Sequence, residues 1–303
     1  MHDVFRPEEN TTRATIDQVR ATVAHLGDNG SDVPLFVFDA GYDSVALGHD
    51  LRETRCQVLV RVRSDRVYYD DKTPPRRGGP NGRPRRHGDK FACANVDTQR
   101  VPDIQLQSQD SRYGTVRVSS WSGLHPRLTN RGHWQDYRDP PIVSGTVIRV
   151  DVERLPKPTS RSTKTLWLWW SGEGEPDLDL VWRAYLRRFD IEHTYRFVKN
   201  TLGWTTPGIC TPEQADRWTW LVVAAYAQLR LARGLVDDLR LPWERPLDPE
   251  KLTPSRVRRG FRRLGASIGT PAQPPKSYRP GPGRPKDTKS GPRTRYPAIK
   301  KAA

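Results

Sequence analysis

Cysteine is scarce in this chain, with three residues, Cys56, Cys93 and Cys210, far apart among 303 positions. Their odd number and wide spacing argue against a disulfide framework and against a cysteine-based metal site. Long apolar runs are absent too, because no stretch approaches the roughly 18 consecutive apolar residues of a membrane span. The first residues, MHDVFRPEENTTR, lack the apolar core of a signal peptide. We therefore expect a cytoplasmic protein with reduced thiols.

Acidic residues are outnumbered, since 35 Asp and Glu stand against 51 Lys and Arg, which gives a formal net charge of +16. A charge of this sign and size predicts a polyanionic partner, and nucleic acid is the usual one. An anionic membrane surface is the alternative. It is disfavoured because no basic amphipathic helix stands apart from core-forming patterns.

Hydrophobic periodicity predicts a β-rich middle of the chain and a helical block after it. The region 60–170 is rich in β-branched and aromatic residues, which favour strands. The predicted strands are PLFVF before Asp39, 57–62, 114–119, 142–152 and 166–170. The predicted helices are 11–26, 44–53, 176–202, 211–239 and 255–264. The sequence therefore indicates an α/β fold.

Asp39 directly follows the apolar strand PLFVF and precedes Gly41. In open α/β sheets, functional groups collect at the carboxyl ends of strands, so this carboxylate is a candidate for chemistry. The alternative is a structural or solvated Asp, and position alone does not decide between the two.

One polar row stands out on residues 182–204, which are predicted to form a single continuous helix. At roughly 100° per residue, the row falls within an arc of about 60° and is flanked by two apolar stripes. A Glu between two such stripes is expected to face protein, metal or phosphate. The alternative is a surface salt bridge between Arg188 and Glu192. The row consists of Tyr185, Arg188, Glu192 and Lys199.

The spacing of that row, Tyr-x2-Arg-x3-Glu-x6-Lys, resembles the signature around the catalytic glutamate in a large group of bacterial insertion-sequence transposases of the DDE superfamily. The segment VFDAGYD also resembles the strand that bears the second catalytic Asp of this group. The resemblance extends over roughly residues 10–265. It implies a ribonuclease-H-like (integrase/transposase) α/β core, with a β-rich insertion between that Asp and the Glu.

The resemblance also implies the chemistry of the site. Asp39 and Glu192 would be two of three carboxylate ligands that hold two divalent cations, Mg²⁺ or Mn²⁺. Arg188 and Lys199 would hold phosphates near the scissile bond, and Tyr185 would hydrogen-bond a DNA phosphate. The implied partners are double-stranded DNA, as transposon ends and target, and a second copy of the chain on that DNA. The implied location is the bacterial cytoplasm, at the nucleoid.

The family's first catalytic Asp lies upstream of the second, on the first strand of the core. Only 38 residues precede Asp39 here; Asp3 follows no predicted strand, and Asp17 lies in a predicted helix. We therefore expect a chain that is incomplete at its N-terminus and inactive on its own. The expected organisation is a partial catalytic core (1–62), a β-rich insertion with a basic loop at about 70–90 (63–172), a helical core part (173–265) and a disordered basic tail (266–303).

Two basic segments rich in Pro and Gly add predicted DNA contacts. NGRPRRHG, within the predicted insertion, carries Arg83, Arg85 and Arg86, which are expected to contact phosphates. GPGRPKD, in the predicted tail, carries Arg284 in a Gly-Arg-Pro tripeptide that is typical of minor-groove binding. The alternative for the second segment is a nonspecific basic tail.

Two functional alternatives to an active transposase stay open. One is a non-catalytic DNA-binding remnant that inhibits or regulates the full-length transposase. The other is a stand-alone basic nucleic-acid-binding protein in which the spaced motif is a coincidence.

Overall fold

The computed structural model describes residues 11–27, 32–71, 86–156, 158–160 and 163–268. The chain divides into two compact units. The sheet unit comprises Glu8–Phe189, and the helical unit comprises Asp190–Ala303 together with Met1–Pro7.

The sheet unit is built on one mixed sheet in the order β1-β2-β8-β7-β6-β3-β4, with β5 paired to β6. Strands β1 and β2 are parallel, and every other pair of these strands is antiparallel. The strands are β1 Leu35–Phe38, β2 Gln57–Val62, β3 Val67–Asp70, β4 Lys90–Ala92, β5 Ile104–Asp110, β6 Gly114–His125, β7 Gly145–Val152 and β8 Thr165–Ser171.

Six α-helices accompany these strands in the described part of the chain. Short 3₁₀ turns lie at Val96–Thr98, Gly132–Trp134, Ala232–Leu235 and Pro249–Lys251. The α-helices are α1 Thr11–Leu26, α2 Ser44–Asp50, α3 Leu178–Arg187, α4 Phe189–Asn200, α5 Pro212–Leu231 and α6 Pro254–Ile268.

Strand β8, TLWLWWS, shows why the sheet is apolar on both faces. Alternate side chains of a strand point to opposite faces. Leu168 and Trp170 therefore join the core under α3, whereas Trp167 and Trp169 join the core on the other face. A strand buried on both faces reads as a continuous apolar run, which is why the sequence predicted it.

Helix α3 covers one face of the sheet and extends to the end of β1. Its N-cap Asp177 accepts hydrogen bonds from the N–H groups of Asp179 and Leu180 at 3.0 and 3.1 Å, which fixes where it begins. Val181 and Trp182 then pack in the same core as Leu59 of β2 and the partly buried side chains of β1. The helix is thereby held against the parallel edge of the sheet.

The helical unit has a smaller core of its own, in which Leu229, Leu252 and Val257 are buried. Helix α5 begins with Pro212 in its first turn, after Thr211, whose hydroxyl accepts a hydrogen bond from the N–H of Gln214. This start agrees with the sequence prediction, and α5 is followed by a 3₁₀ turn over Ala232–Leu235.

The predicted α/β class is confirmed by this arrangement. One prediction is wrong, because the helix predicted over 176–202 is divided at Arg188 into α3 and α4. The N–H of Arg188 donates to the carbonyl of Tyr185, three residues back, which ends the regular α-helical bonding. Tyr185 therefore lies on α3, Glu192 and Lys199 lie on α4, and Arg188 lies between the two helices.

Gly145, at the start of β7, offers a test of this packing. A Cβ added there would overlap the ring of Trp169, which covers the glycine. We expect Gly145→Ala to lower the free energy of unfolding by about 1–3 kcal/mol, the usual cost of overpacking a core. Urea unfolding measures the change. Gly208→Ala, where nothing lies within 4 Å of the added Cβ, is the control; equal losses at both positions would contradict the packing.

Candidate active site

Asp39 lies at the carboxyl end of β1, where the parallel β1–β2 pair ends. Its Oδ1 accepts a hydrogen bond from the N–H of Ala40 at 2.8 Å, and its carbonyl accepts one from the N–H of Tyr42 at 3.2 Å. The turn keeps the side chain 46% exposed. The carboxylate is therefore accessible to a ligand and retains free acceptor capacity.

Arg188 is paired with Asp39 within the sheet unit. Its Nη2 lies 3.5 Å from Oδ2 of Asp39, and its guanidinium lies over the rings of Tyr185 and Phe189 at 5.7 and 5.0 Å from their centroids. Because Asp39 is half exposed, an ion pair of this kind contributes no more than about 1 kcal/mol. A divalent cation can therefore replace Arg188 at the carboxylate of Asp39, and a phosphate can replace Asp39 at the guanidinium of Arg188.

Tyr185 is buried, with 2% of its surface exposed, in the core between α3 and the sheet. Its hydroxyl has no hydrogen-bond partner among the described residues. A DNA phosphate can reach this hydroxyl only if the surrounding core opens. The phosphate contact implied for Tyr185 accordingly stays a prediction, and packing is the role that the contacts support.

Glu192 and Lys199 lie on α4, in the helical unit, and both side chains are exposed. They are seven positions apart, so they share one face of the helix. Glu192 is in the first turn, where the helix dipole favours a negative charge. The ammonium of Lys199 lies 5.9 Å from the ring centroids of both Tyr195 and Trp204, which keeps this cation beside an aromatic pair.

The two predicted metal ligands fit a hard divalent cation in their chemistry, because both are accessible carboxylates. Among the described residues, no group of three or more His, Cys, Asp or Glu could hold a metal. Asp17, considered for the first Asp, is exposed on α1, 3.8 Å from Arg20. Asp3 lies outside the described residues.

The structure describes one of the four arginines that were predicted to contact DNA in the two basic segments. Arg86 forms an ion pair with Asp139 and donates a hydrogen bond to the carbonyl of Pro140, so its charge is already partnered within the protein. Arg83, Arg85 and Arg284 lie outside the described residues, and their roles stay predictions.

Sequence reasoning missed two groupings in the sheet unit. The first is the pairing of Arg188 with Asp39, which joins a strand end to a helix end 149 positions later. The second is a hydrogen-bonded chain of Asp71, His125 and His87. Neither leaves a local signal, because sequence separations of this size follow no helical or strand period.

Residues 4–127 match the family described as DDE superfamily endonuclease. The matched segment contains Asp39 and ends before the spaced row of Tyr185 to Lys199, so the two signals come from separate parts of the chain. The recognition of a DDE-superfamily, transposase-like protein is thereby confirmed. The mixed sheet with its helices is consistent with a ribonuclease-H-like DDE fold.

The match supports a nuclease or transposase type of function, and enzymes of this superfamily act on DNA and generally use divalent metals. A comparison with curated proteins finds no match. Every helix in the described part of the chain is too short or too polar to cross a membrane.

Tyr185→Phe separates packing from phosphate contact. An unsatisfied buried hydroxyl costs about 1–3 kcal/mol, so we expect the variant to be more stable than the wild type by about 1 kcal/mol. Denaturant unfolding measures this, with Tyr137→Phe, at a side chain that is 37% exposed, as the control. Unchanged DNA affinity in the variant would exclude the phosphate contact. A large loss of affinity would show that the hydroxyl becomes uncovered on DNA.

Proposed function

We propose that the chain is a DNA transposase of the insertion-sequence type, which acts by metal-dependent cleavage and transfer of DNA strands. Asp39 and Glu192 are the proposed metal ligands. The observation that carries the proposal is the strand-end carboxylate of Asp39 with Arg188 of the spaced row beside it. A predicted ligand and a predicted phosphate binder thus meet in the sheet unit.

Divalent cations would stabilise the attacking and leaving oxygens of an in-line displacement at phosphorus. Asp39 and Glu192 would hold them through carboxylate oxygens, which Mg²⁺ and Mn²⁺ both accept. Arg188 neutralises Asp39 in the described arrangement. On DNA, its planar fork suits a phosphate oxygen pair, so the guanidinium would exchange a carboxylate partner for a phosphate. Lys199 would supply a point charge to a neighbouring phosphate.

Metal-dependent cleavage tests this proposal. Wild-type protein is incubated with a supercoiled plasmid and Mg²⁺ or Mn²⁺, and nicked product is measured over time. Only two of the family's three expected carboxylates are identified in the described part of the chain, so we expect nicking by the wild type to be slow. Loss of one more preorganised group can cost about 100- to 1000-fold in rate, so Asp39→Asn and Glu192→Gln should each abolish the remaining nicking. His193→Gln, next to Glu192 but about 100° round the helix, is the control.

The outcomes separate the functional alternatives. Nicking that survives in both carboxylate variants would contradict the assignment of the ligands. Binding without metal-dependent nicking by the wild type would favour the alternative, a non-catalytic DNA-binding regulator of a full-length transposase.

Double-stranded DNA binding should be sensitive to salt, because the net charge is +16. Residues 271–303 contain nine Lys and Arg and one Asp, which amounts to half of that charge. We expect affinity to fall steeply between about 50 and 200 mM salt, as neutralised phosphates release counterions. Fluorescence anisotropy with a duplex measures the slope. Deletion of 271–303 should reduce it, and a flat salt dependence would contradict the proposal.

We further propose that two copies pair through α5, in the helical unit. One face of this helix is exposed, and it is apolar from the middle of the helix to its last residue, where Trp220, Val223 and Leu231 are 57%, 48% and 82% exposed. At roughly 100° per residue, Ala224 and Ala227 lie between these side chains on the same face. Their small size lets a second helix approach closely.

A second copy fits this face in antiparallel orientation. If the two helices cross at Ala224 and Ala227, Trp220 of one copy lies opposite Leu231 of the other. In this orientation the dipoles of the two helices run in opposite directions, so the positive end of each lies towards the negative end of the other. A symmetric contact of this kind closes into a dimer.

Leu231→Glu tests the pairing, since it places a charge opposite Trp220 of the other copy without touching the core. We expect sedimentation equilibrium to give a monomer for Leu231→Glu and a dimer for the wild type and for Leu221→Glu. Leu221 is also exposed, but it lies about 100° round the helix from Trp220. A monomeric wild type, with and without duplex DNA, would contradict the proposed dimer.

A further inference from the structure

A buried histidine links the two ends of the chain segment between β3 and β4. Asp71 follows β3, His87 precedes β4, and His125 is the last residue of β6. The Nδ1 of His125 lies 2.6 Å from Oδ1 of Asp71, and its Nε2 lies 2.9 Å from Nδ1 of His87. His125 is 1% exposed, so both of its ring nitrogens are used inside the protein.

These partners determine which nitrogens carry protons. A carboxylate only accepts, so Nδ1–H of His125 donates to Asp71. Nε2 of neutral His125 then accepts, and Nδ1–H of His87 donates to it. Of the four nitrogens in the two rings, Nε2 of His87 is the one that takes no part in these hydrogen bonds. A proton added there turns His87 into a cation without breaking either hydrogen bond.

The surroundings of His87 are positively charged. Burial and the nearby His125, Arg86 and Arg127 all lower the pKa of His87 below its ordinary value. Arg86 is partnered by Asp139, whereas Arg127 is exposed and forms no ion pair with a carboxylate among the described residues. The ring of Tyr69 lies 5.3 Å from that of His87, and Asp71 lies beyond His125.

The adjoining sequence points to the same kind of ligand. Residues 72–85 contain five basic side chains and no acidic one. An imidazole that gains charge without losing a hydrogen bond, with the charge of Arg127 near enough to lower its pKa, suits a phosphate.

We propose that His87 and Arg127 form a binding site for a phosphate of the DNA backbone, with His87 bound as the imidazolium and held through Nδ1 by His125 and Asp71. The inference rests on the proposed DNA-binding function, and it adds the position of one phosphate-binding site and a pH dependence of the affinity. His87 is a ligand-contacting residue in this site, and Asp71 and His125 are positioning residues.

The direction of the pH dependence follows from linkage. A phosphate stabilises the charged form of His87, so binding raises its pKa and takes up a proton. Because the pKa of His87 in the free protein lies below its ordinary value, the ring is neutral at pH 7.5. Affinity therefore rises as the pH falls towards 6. A rise of one pKa unit on binding corresponds to about tenfold in affinity.

The test compares duplex affinity at pH 7.5 and pH 6.0, at constant ionic strength, for the wild type, His87→Gln and His25→Gln. Gln cannot gain a charge, and His25 is an exposed control on α1. We expect the wild type and His25→Gln to bind several-fold more tightly at pH 6.0, up to about tenfold. His87→Gln should lose this gain and match the wild type at pH 7.5.

Histidine-selective NMR gives an independent readout. The ring signal that is missing from His87→Gln identifies His87 in the wild type, and its titration midpoint should move to higher pH when the duplex is added. A midpoint unmoved by the duplex, or a pH dependence that survives in His87→Gln, would overturn the proposed phosphate site and leave the proposed DNA binding standing. If the wild type binds no duplex at either pH, the proposed DNA-binding function fails with it.

Discussion

Burial of α3 against the sheet is the interaction on which the candidate site depends. Val181, Trp182 and Tyr185 are each no more than 2% exposed, and they pack with Leu59 and Leu168 of the central strands. Because the apolar face of the helix is fixed in this way, its end reaches the carboxyl end of β1. Arg188 is thereby placed beside Asp39, although the ion pair itself is too exposed to hold the two elements together.

Local patterns predicted the elements that bury most apolar surface. Strands β2 and β8 were found because each contains a continuous apolar run, and α1 because its apolar residues follow a helical period. Strand β5, IQLQSQD, was missed, since its alternate residues are polar and its extended conformation depends on pairing with β6. The division of the helix at Arg188 was also missed, because the apolar stripes continue across it.

The spaced row of Tyr185, Arg188, Glu192 and Lys199 shows that a motif can indicate a family without indicating the surroundings of its residues. Its residue types and spacing identified the family, whose match covers a different part of the chain. The structure then separates the row by environment: Tyr185 is in a core, Arg188 is paired with Asp39, and Lys199 lies over an aromatic pair. Spacing carries no information on such surroundings, because they depend on residues distant in sequence. The predicted domain boundaries and the roles of these residues stay predictions.

We propose that Asp39 and Glu192 bind the same divalent cation, and a titration with Mn²⁺ tests this proposal most directly. Affinity is measured for the wild type, Asp39→Asn, Glu192→Gln and the double variant, with circular dichroism as the control for folding. Each single change should weaken binding by at least the roughly 10- to 100-fold that loss of an outer partner costs. The double variant should bind little worse than either single one, because one ligand of a shared ion is already lost in each. Independent, additive losses, or no loss at all, would contradict it.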